Sequence, residues 1–130
     1  MSLNDPLSNL MSKILNYEKV GKKECVMKPT SVVIKKVLDI LNAEGYVGKY
    51  EEVDDGRGKY IKISLLGNIN KCGSIKPRFA VTVDNYEKFE KRFLPSKDFG
   101  LLIVSTSQGM MTHYAAKEKN LGGRLIAYCY

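Results

Sequence analysis

Ile61, Ile63 and Leu65 alternate with Lys62, Ser64 and Leu66, and the run follows Asp54-Asp55-Gly56-Arg57-Gly58. This period-two pattern behind a glycine-rich turn constrains the fold more than any other feature of the chain. Alternation puts one set of side chains on a core face and the other in solvent. Glycine supplies the positive φ that a tight hairpin demands. Tyr46 to Val53 is then the outgoing strand, and Tyr60 to Leu66 returns antiparallel to it.

The segments before the hairpin change period. Leu7, Leu10, Met11, Ile14 and Leu15 recur at the spacing of one helical face. Asp5-Pro6 suits the start of that helix, and Gly21 ends it. Glu24 to Lys28 reads as a short strand with Cys25 and Met27 on one side, and Pro29 breaks it. Thr30 or Ser31 caps a second helix. Its buried face is Val33, Ile34, Val37, Leu38 and Leu41, with Lys35 and Lys36 exposed, and Gly45 stops it. The order is α-β-α-β-β.

Gly67 to Gly73, rich in Gly and Asn, marks a boundary. The expected lobes are 1–67 and 68–130. In the second, Ile75 to Val83 is extended around Pro77, and Asp84-Asn85 caps a short helix holding Tyr86, Phe89 and Phe93. Phe99 to Val104 reads as a buried strand. Thr112 caps a helix through Lys119, Leu121-Gly122-Gly123 turns the chain, and Arg124 to Tyr130 is a last strand. The fold class is α+β in two small lobes, the first α-β-α-β-β, the second mixed β with short helices.

With 44 % hydrophobic residues, the chain can build a core and is not a disordered one. No apolar run approaches the ~18 residues of a membrane span. The start, MSLNDPLSNL, lacks the basic and apolar blocks of a secretory signal, so a cytoplasmic protein without a membrane partner is expected. Three cysteines, Cys25, Cys72 and Cys129, stand far apart with no C-x-x-C pair. They read as reduced, packed thiols, and no metal site is expected.

Net charge is +7, unevenly placed. Residues 61–80 carry four basic residues and no acid, while residues 41–60 carry five acids against three basic residues. Basic patches on a folded body fit a polyanionic partner, most often nucleic acid, or a solvated basic surface.

Catalytic chemistry finds little footing. The single histidine, His113, follows Thr112 near a helix start and reads as a surface residue. Ser105 and Ser107 lack the G-x-S-x-G pattern, and no base or oxyanion partner accompanies them. Gly56-Arg57-Gly58 lacks the helix and lysine of a phosphate loop. Neither catalytic residues nor a cofactor are expected.

One stretch stands out. Val104-Ser-Thr-Ser-Gln-Gly109 follows the apolar run Leu101 to Val104. Hydroxyls, an amide and a bare backbone can grip phosphate, ribose and base edges. Ser, Thr and Gln suit the 2′-OH of RNA, which donates and accepts. The loop is also expected to lead into a helix N-terminus, which favours anions. A plain turn with a helix cap has the same composition.

The run F-G-L-L-I-V-S-T-S-Q-G-M-M-T-H, with A-K and L-G-G-R-L-I-A-Y after it, resembles the family of the eighth ribosomal protein of the small subunit. So do D-P-L-S-N-L, K-P-T-S before a helix, A-E-G-Y at its end, and N-K-C-G-S-I-K-P-R-F. The resemblance covers nearly the whole chain and is to the archaeal and eukaryotic branch. It implies a non-catalytic, primary binder of small-subunit ribosomal RNA, located on the ribosome. Such proteins hold an irregular stem of the central domain, support assembly beside neighbouring small-subunit proteins, and in some cases bind their own messenger RNA and repress their operon. Carried onto this chain, the RNA-binding loop is Ser105, Thr106, Ser107, Gln108 and Gly109, with Gly122 and Gly123 as the adjacent turn. Lys28, Ser31 and Lys35 match the patch that approaches a second RNA segment. Arg124 stands where bacterial members commonly carry Glu, which favours a phosphate contact over base reading. Tyr114 and Ala115 replace a frequent acidic pair. On the residues alone, a protein–protein adaptor with incidental basic faces, or a small serine hydrolase, stays open beside this reading.

Overall fold

The computed structural model describes residues 6–27, 32–54, 56, 58–75, 78–95 and 99–130. The fold is α+β, and the chain divides into two compact units, Met1–Asn70 and Lys71–Tyr130.

The first unit runs α1 (Pro6–Lys19), β1 (Glu24–Met27), α2 (Val32–Ala43), β2 (Val47–Asp54) and β3 (Lys59–Leu65). Its antiparallel sheet has the order β1-β3-β2. Cys25 lies opposite Ile63 and Met27 opposite Ile61, and all four are buried. Leu7, Leu10, Met11 and Ile14 of α1 are buried, as are Ile34, Val37, Leu38 and Leu41 of α2. Those are the two helical stripes read from the spacing. Gly21 ends α1 at φ 76°, with its N–H donating to Glu18 O and that of Lys22 to Tyr17 O. Gly45, at φ 80°, does the same for α2, and Tyr46 N–H reaches Leu41 O at 2.9 Å. Both are glycine C-caps.

One expectation fails in α2. Val33 is 39 % exposed, not part of the core face. It lies ~100° round the helix from Ile34, beyond the edge of the stripe. The Thr30 or Ser31 cap falls outside the described residues. At the β2–β3 tip, Gly56 N–H donates to Asp54 Oδ1 at 2.9 Å, an Asx-type turn.

The two units divide after Asn70, inside the polar stretch Gly67 to Gly73. The carboxylate of Glu18 accepts from the N–H groups of Gly67 and Ile69, each at 3.2 Å. Asn68 Nδ2 donates to Gly45 O at 2.9 Å. These bonds tie the polar stretch to the first unit.

The second unit runs β4 (Cys72–Ser74), β5 (Ala80–Val81), a 3₁₀ turn (Val83–Asn85), α3 (Tyr86–Phe93), β6 (Leu101–Thr106), β7 (Gly109–Thr112), α4 (His113–Glu118) and β8 (Gly123–Cys129). The order is β4-β8-β6-β7, and β5 also pairs with β8. Leu101 to Val104 are all buried, so this part of β6 is covered on both faces. Tyr86 and Phe89 of α3 pack with Leu102, Val104, Met111, Ala116 and Leu125. The Tyr86 hydroxyl donates to Leu121 O at 2.8 Å.

Here too the sequence reading needs correction. The strand expected over Phe99–Val104 begins at Leu101 and continues through Ser105 and Thr106, while Phe99 is 47 % exposed. Asn85 makes no side-chain cap bond, because the 3₁₀ turn already leads into α3. Of the stretch Ile75 to Val83, read as extended, only Ala80–Val81 is a strand among the described residues: β4 ends before it at Ser74, Val83 opens the 3₁₀ turn, and Lys76 and Pro77 lie outside the described residues. Among the described residues, no helix is long and apolar enough to cross a membrane.

Candidate nucleic-acid interface

The hydroxyl-rich stretch is the tip of a β-hairpin. Thr106 on β6 pairs with Gly109 on β7, which leaves a two-residue turn, Ser107-Gln108. Two-residue hairpins need unusual backbone angles, and Gly109 supplies φ 109° at the exit. The Thr106 hydroxyl donates to Gly109 O at 2.8 Å and accepts from Gln108 N–H at 3.1 Å. Thr106 therefore braces the turn from inside. Ser107 and Gln108 are exposed at its apex, while Ser105, Thr106 and Gly109 are half-buried.

The expectation that this loop runs straight into a helix is overturned. Strand β7 intervenes, and α4 begins only after Thr112, whose hydroxyl accepts from Ala115 N–H at 3.2 Å. The capped helix end lies at the far end of β7 from the apex. Anion attraction by a helix terminus is thus not available to Ser107 and Gln108.

Strand β8 starts beside the tip. Ser105 pairs with Arg124 on one side and with Met110 on the other, and Arg124 pairs with Ala80 of β5. The row Ala80–Arg124–Ser105–Met110 crosses four strands. Ala80 and Arg124 are exposed, and Ser105 and Met110 half-buried. Met110 escaped the sequence reading. Its signal was the Met110-Met111 pair, of which a strand buries one member, here Met111, and turns the other outward.

Gly122 and Gly123 have a packing reason of their own. A Cβ on Gly123 would come 2.1 Å from Ser105 O, and one on Gly122 would come 2.6 Å from Val81 O. The turn is positioned by backbones that only glycine lets approach so closely. Asn120, at φ 55°, takes the left-handed conformation just before it, which Asn tolerates better than most residues.

The other expected patch belongs to the first unit. Lys35 on α2 pairs with Glu52 of β2. Lys28 and Ser31 lie outside the described residues, so Lys35 alone of that set is placed.

His113 is fully buried, against the expectation of a surface position. As the first residue of α4, it turns onto β6, where its Nδ1 accepts from Leu102 N–H at 3.0 Å. Its Nε2 comes within 3.2 Å of Glu90 Oε1, an oxygen that Lys117 Nζ also contacts. Tyr114 donates its hydroxyl to Gly100 O at 2.9 Å. Both residues serve the interior of this unit. The apex hydroxyl and amide, the neighbouring guanidinium and the half-buried Ser105 together offer hydrogen bonds and one charge on a rigid strand end. That set is suited to a sugar–phosphate backbone.

The family model described as ribosomal protein S8 matches residues 5–130, nearly the whole chain.

Proposed function

Because this chain belongs to the ribosomal protein S8 family of structural small-subunit proteins that bind ribosomal RNA, we propose that it holds an irregular stem in the central domain of that RNA through the β6–β7 hairpin tip. One observation carries the reading. Thr106 uses its hydroxyl inside the turn, which leaves Ser107 and Gln108 exposed on a fixed backbone beside Arg124. A rigid apex loses little conformational entropy when it docks.

Ser105, Ser107 and Gln108 bind sugar hydroxyls and base edges where an internal loop opens the stem. Gly109, Gly122 and Gly123 keep the backbone close enough for that approach. Arg124 neutralises a phosphate. Lys28, Ser31 and Lys35 meet a second RNA segment, for which Lys35 exchanges Glu52 for phosphate. The same surface accepts a similar element in the protein's own messenger RNA, and the protein supports subunit assembly by fixing the stem early.

Affinity for the central-domain stem, measured against a fully paired stem across a salt series, tests this. The expected outcome is a preference of roughly a hundredfold that persists at physiological salt, because background charge attraction alone fades with salt. Equal binding to both stems with a steep salt dependence would assign the affinity to basic patches and remove the hairpin from the account.

A further inference from the structure

Cys72 on β4 and Cys129 on β8 are direct cross-strand partners. The next pair along, Lys71 and Tyr130, exchanges both backbone hydrogen bonds, at 2.9 and 2.8 Å. Hydrogen-bonded and non-hydrogen-bonded pairs alternate along an antiparallel ladder. Cys72–Cys129 is therefore a non-hydrogen-bonded pair, the kind in which Cα atoms come to ~4.5 Å and side chains lie closest. A disulfide spans Cα separations of about 4.4–6.8 Å, so this register brings the two cysteine backbones within the span of a disulfide, with both side chains on one face of the sheet. Both are buried. Cys25 differs, since the residue opposite it is Ile63.

We propose that Cys72 and Cys129 form an oxidation site, converted by a two-electron oxidant of the peroxide class into a cross-strand disulfide. Strand β4 is three residues long and lies at the sheet edge with β8 as its partner. Short edge strands are among the first elements to open, and opening uncovers Cys72. The Cys72 sulfur attacks one peroxide oxygen, and the O–O bond breaks. The departing hydroxide takes the thiol proton as water, which leaves a sulfenic acid on Cys72. The Cys129 sulfur then attacks the Cys72 sulfur, and the S–O bond breaks. Hydroxide leaves with the Cys129 proton as a second water. Two thiols lose two hydrogens and two electrons, and hydrogen peroxide becomes two waters. The new bond pins β4 to β8 and closes a loop of most of the second unit. Closing so long a loop restricts the unfolded chain, so the oxidised unit resists denaturant better than the reduced one.

The test treats the folded full chain with a small excess of hydrogen peroxide, removes the peroxide with catalase, then unfolds and alkylates it with iodoacetamide. The expected product is a monomer lighter by two hydrogens that accepts one alkyl group, at Cys25. Proteolysis yields a peptide joining Cys72 to Cys129 that a thiol reductant splits. Cys129→Val retains an apolar side chain and lacks the resolving thiol, so it forms no 72–129 link, gains oxygen at Cys72 and accepts one alkyl group, at Cys25. Cys25→Ser leaves the 72–129 link intact, and it serves as the second variant where Cys129→Val fails to fold. Three alkyl groups on the treated wild type, a link through Cys25, a disulfide dimer, or oxygen added at Cys72 without a link would each overturn the proposal. The same treatment in guanidinium must scatter the link among the three possible pairs. An exclusive 72–129 link there would overturn strand register as the cause.

Discussion

Gly123 lies so close to Ser105 that a Cβ on it would come 2.1 Å from the Ser105 carbonyl oxygen. This is backbone against backbone, so no side chain can swing away to make room. Gly123→Ala must push β8 from β6 at the hairpin base. The expected cost is about 1–3 kcal/mol of stability, the scale of overpacking in a close-packed site. Urea unfolding measures it, and a folded Gly123→Ala protein should also bind stem RNA more weakly than wild type. An unchanged midpoint would mean that the strands separate freely there.

Thr106 and its neighbours separate bracing from binding. Thr106→Ala removes both turn bonds and should cost ~1 kcal/mol in a denaturant melt. Ser107→Ala with Gln108→Ala alters two exposed apex side chains and should shift stability by no more than ~0.5 kcal/mol. The double variant should nonetheless lose more than ~1 kcal/mol of stem-RNA affinity, as hydrogen bonds across the interface go unmade. Wild-type affinity in the folded double variant would remove the apex from the binding site.

These two variants also mark what the amino-acid pattern could reveal. The Ser/Thr/Gln stretch was visible as a polar ending to an apolar strand, but not as a hairpin. Strand β7 has four residues, too few for alternation to register, and its turn residues look like an ordinary cap. The helices of the first unit were readable because Leu7 to Ile14 and Ile34 to Leu41 repeat over several turns. Val33 was misread because apolar character does not say where a stripe ends. His113 was missed for a deeper reason. A polar residue enters a core when partners from other elements meet it, here Leu102 and Glu90, and spacing along one element carries no trace of them.

His113→Leu fills similar space but withdraws the acceptor of Leu102 N–H. It also leaves the buried Glu90 carboxylate without the imidazole beside it. An unpaired buried donor costs ~1–3 kcal/mol, and the expected loss lies at the upper end of that range. Thermal melting followed by circular dichroism gives the value. A neutral result would show that the imidazole contributes no more than volume.

Arg124 is exposed beside Ser105. If it meets phosphate, Arg124→Gln weakens every stem that the protein binds by a similar factor. It also lowers the slope of log affinity against log salt by about one ion contact. Salt titrations on two stems with different sequences read both quantities. Loss confined to one stem with an unchanged slope would assign Arg124 to base reading instead.

Tyr86 links stability to alkaline pH. Burial pushes its phenol above the ordinary value of 10.0, because ionising it inside the core forfeits hydration. A group with a raised folded pKa stabilises the fold fully below its unfolded value, and that stability is lost as pH climbs through the folded value. The wild type should therefore hold level with respect to this group at neutral pH and weaken above pH 10. Tyr86→Phe removes the ionisation together with the hydrogen bond to Leu121 O. At neutral pH it should be less stable by ~1 kcal/mol, since that carbonyl loses its donor. Above pH 10 the wild type acquires a penalty that Phe cannot incur, so the two unfolding free energies must converge. Urea melts at pH 7 and at pH 10.5 decide it: a gap that stays constant across that range would mean that the phenol is solvated in the folded chain.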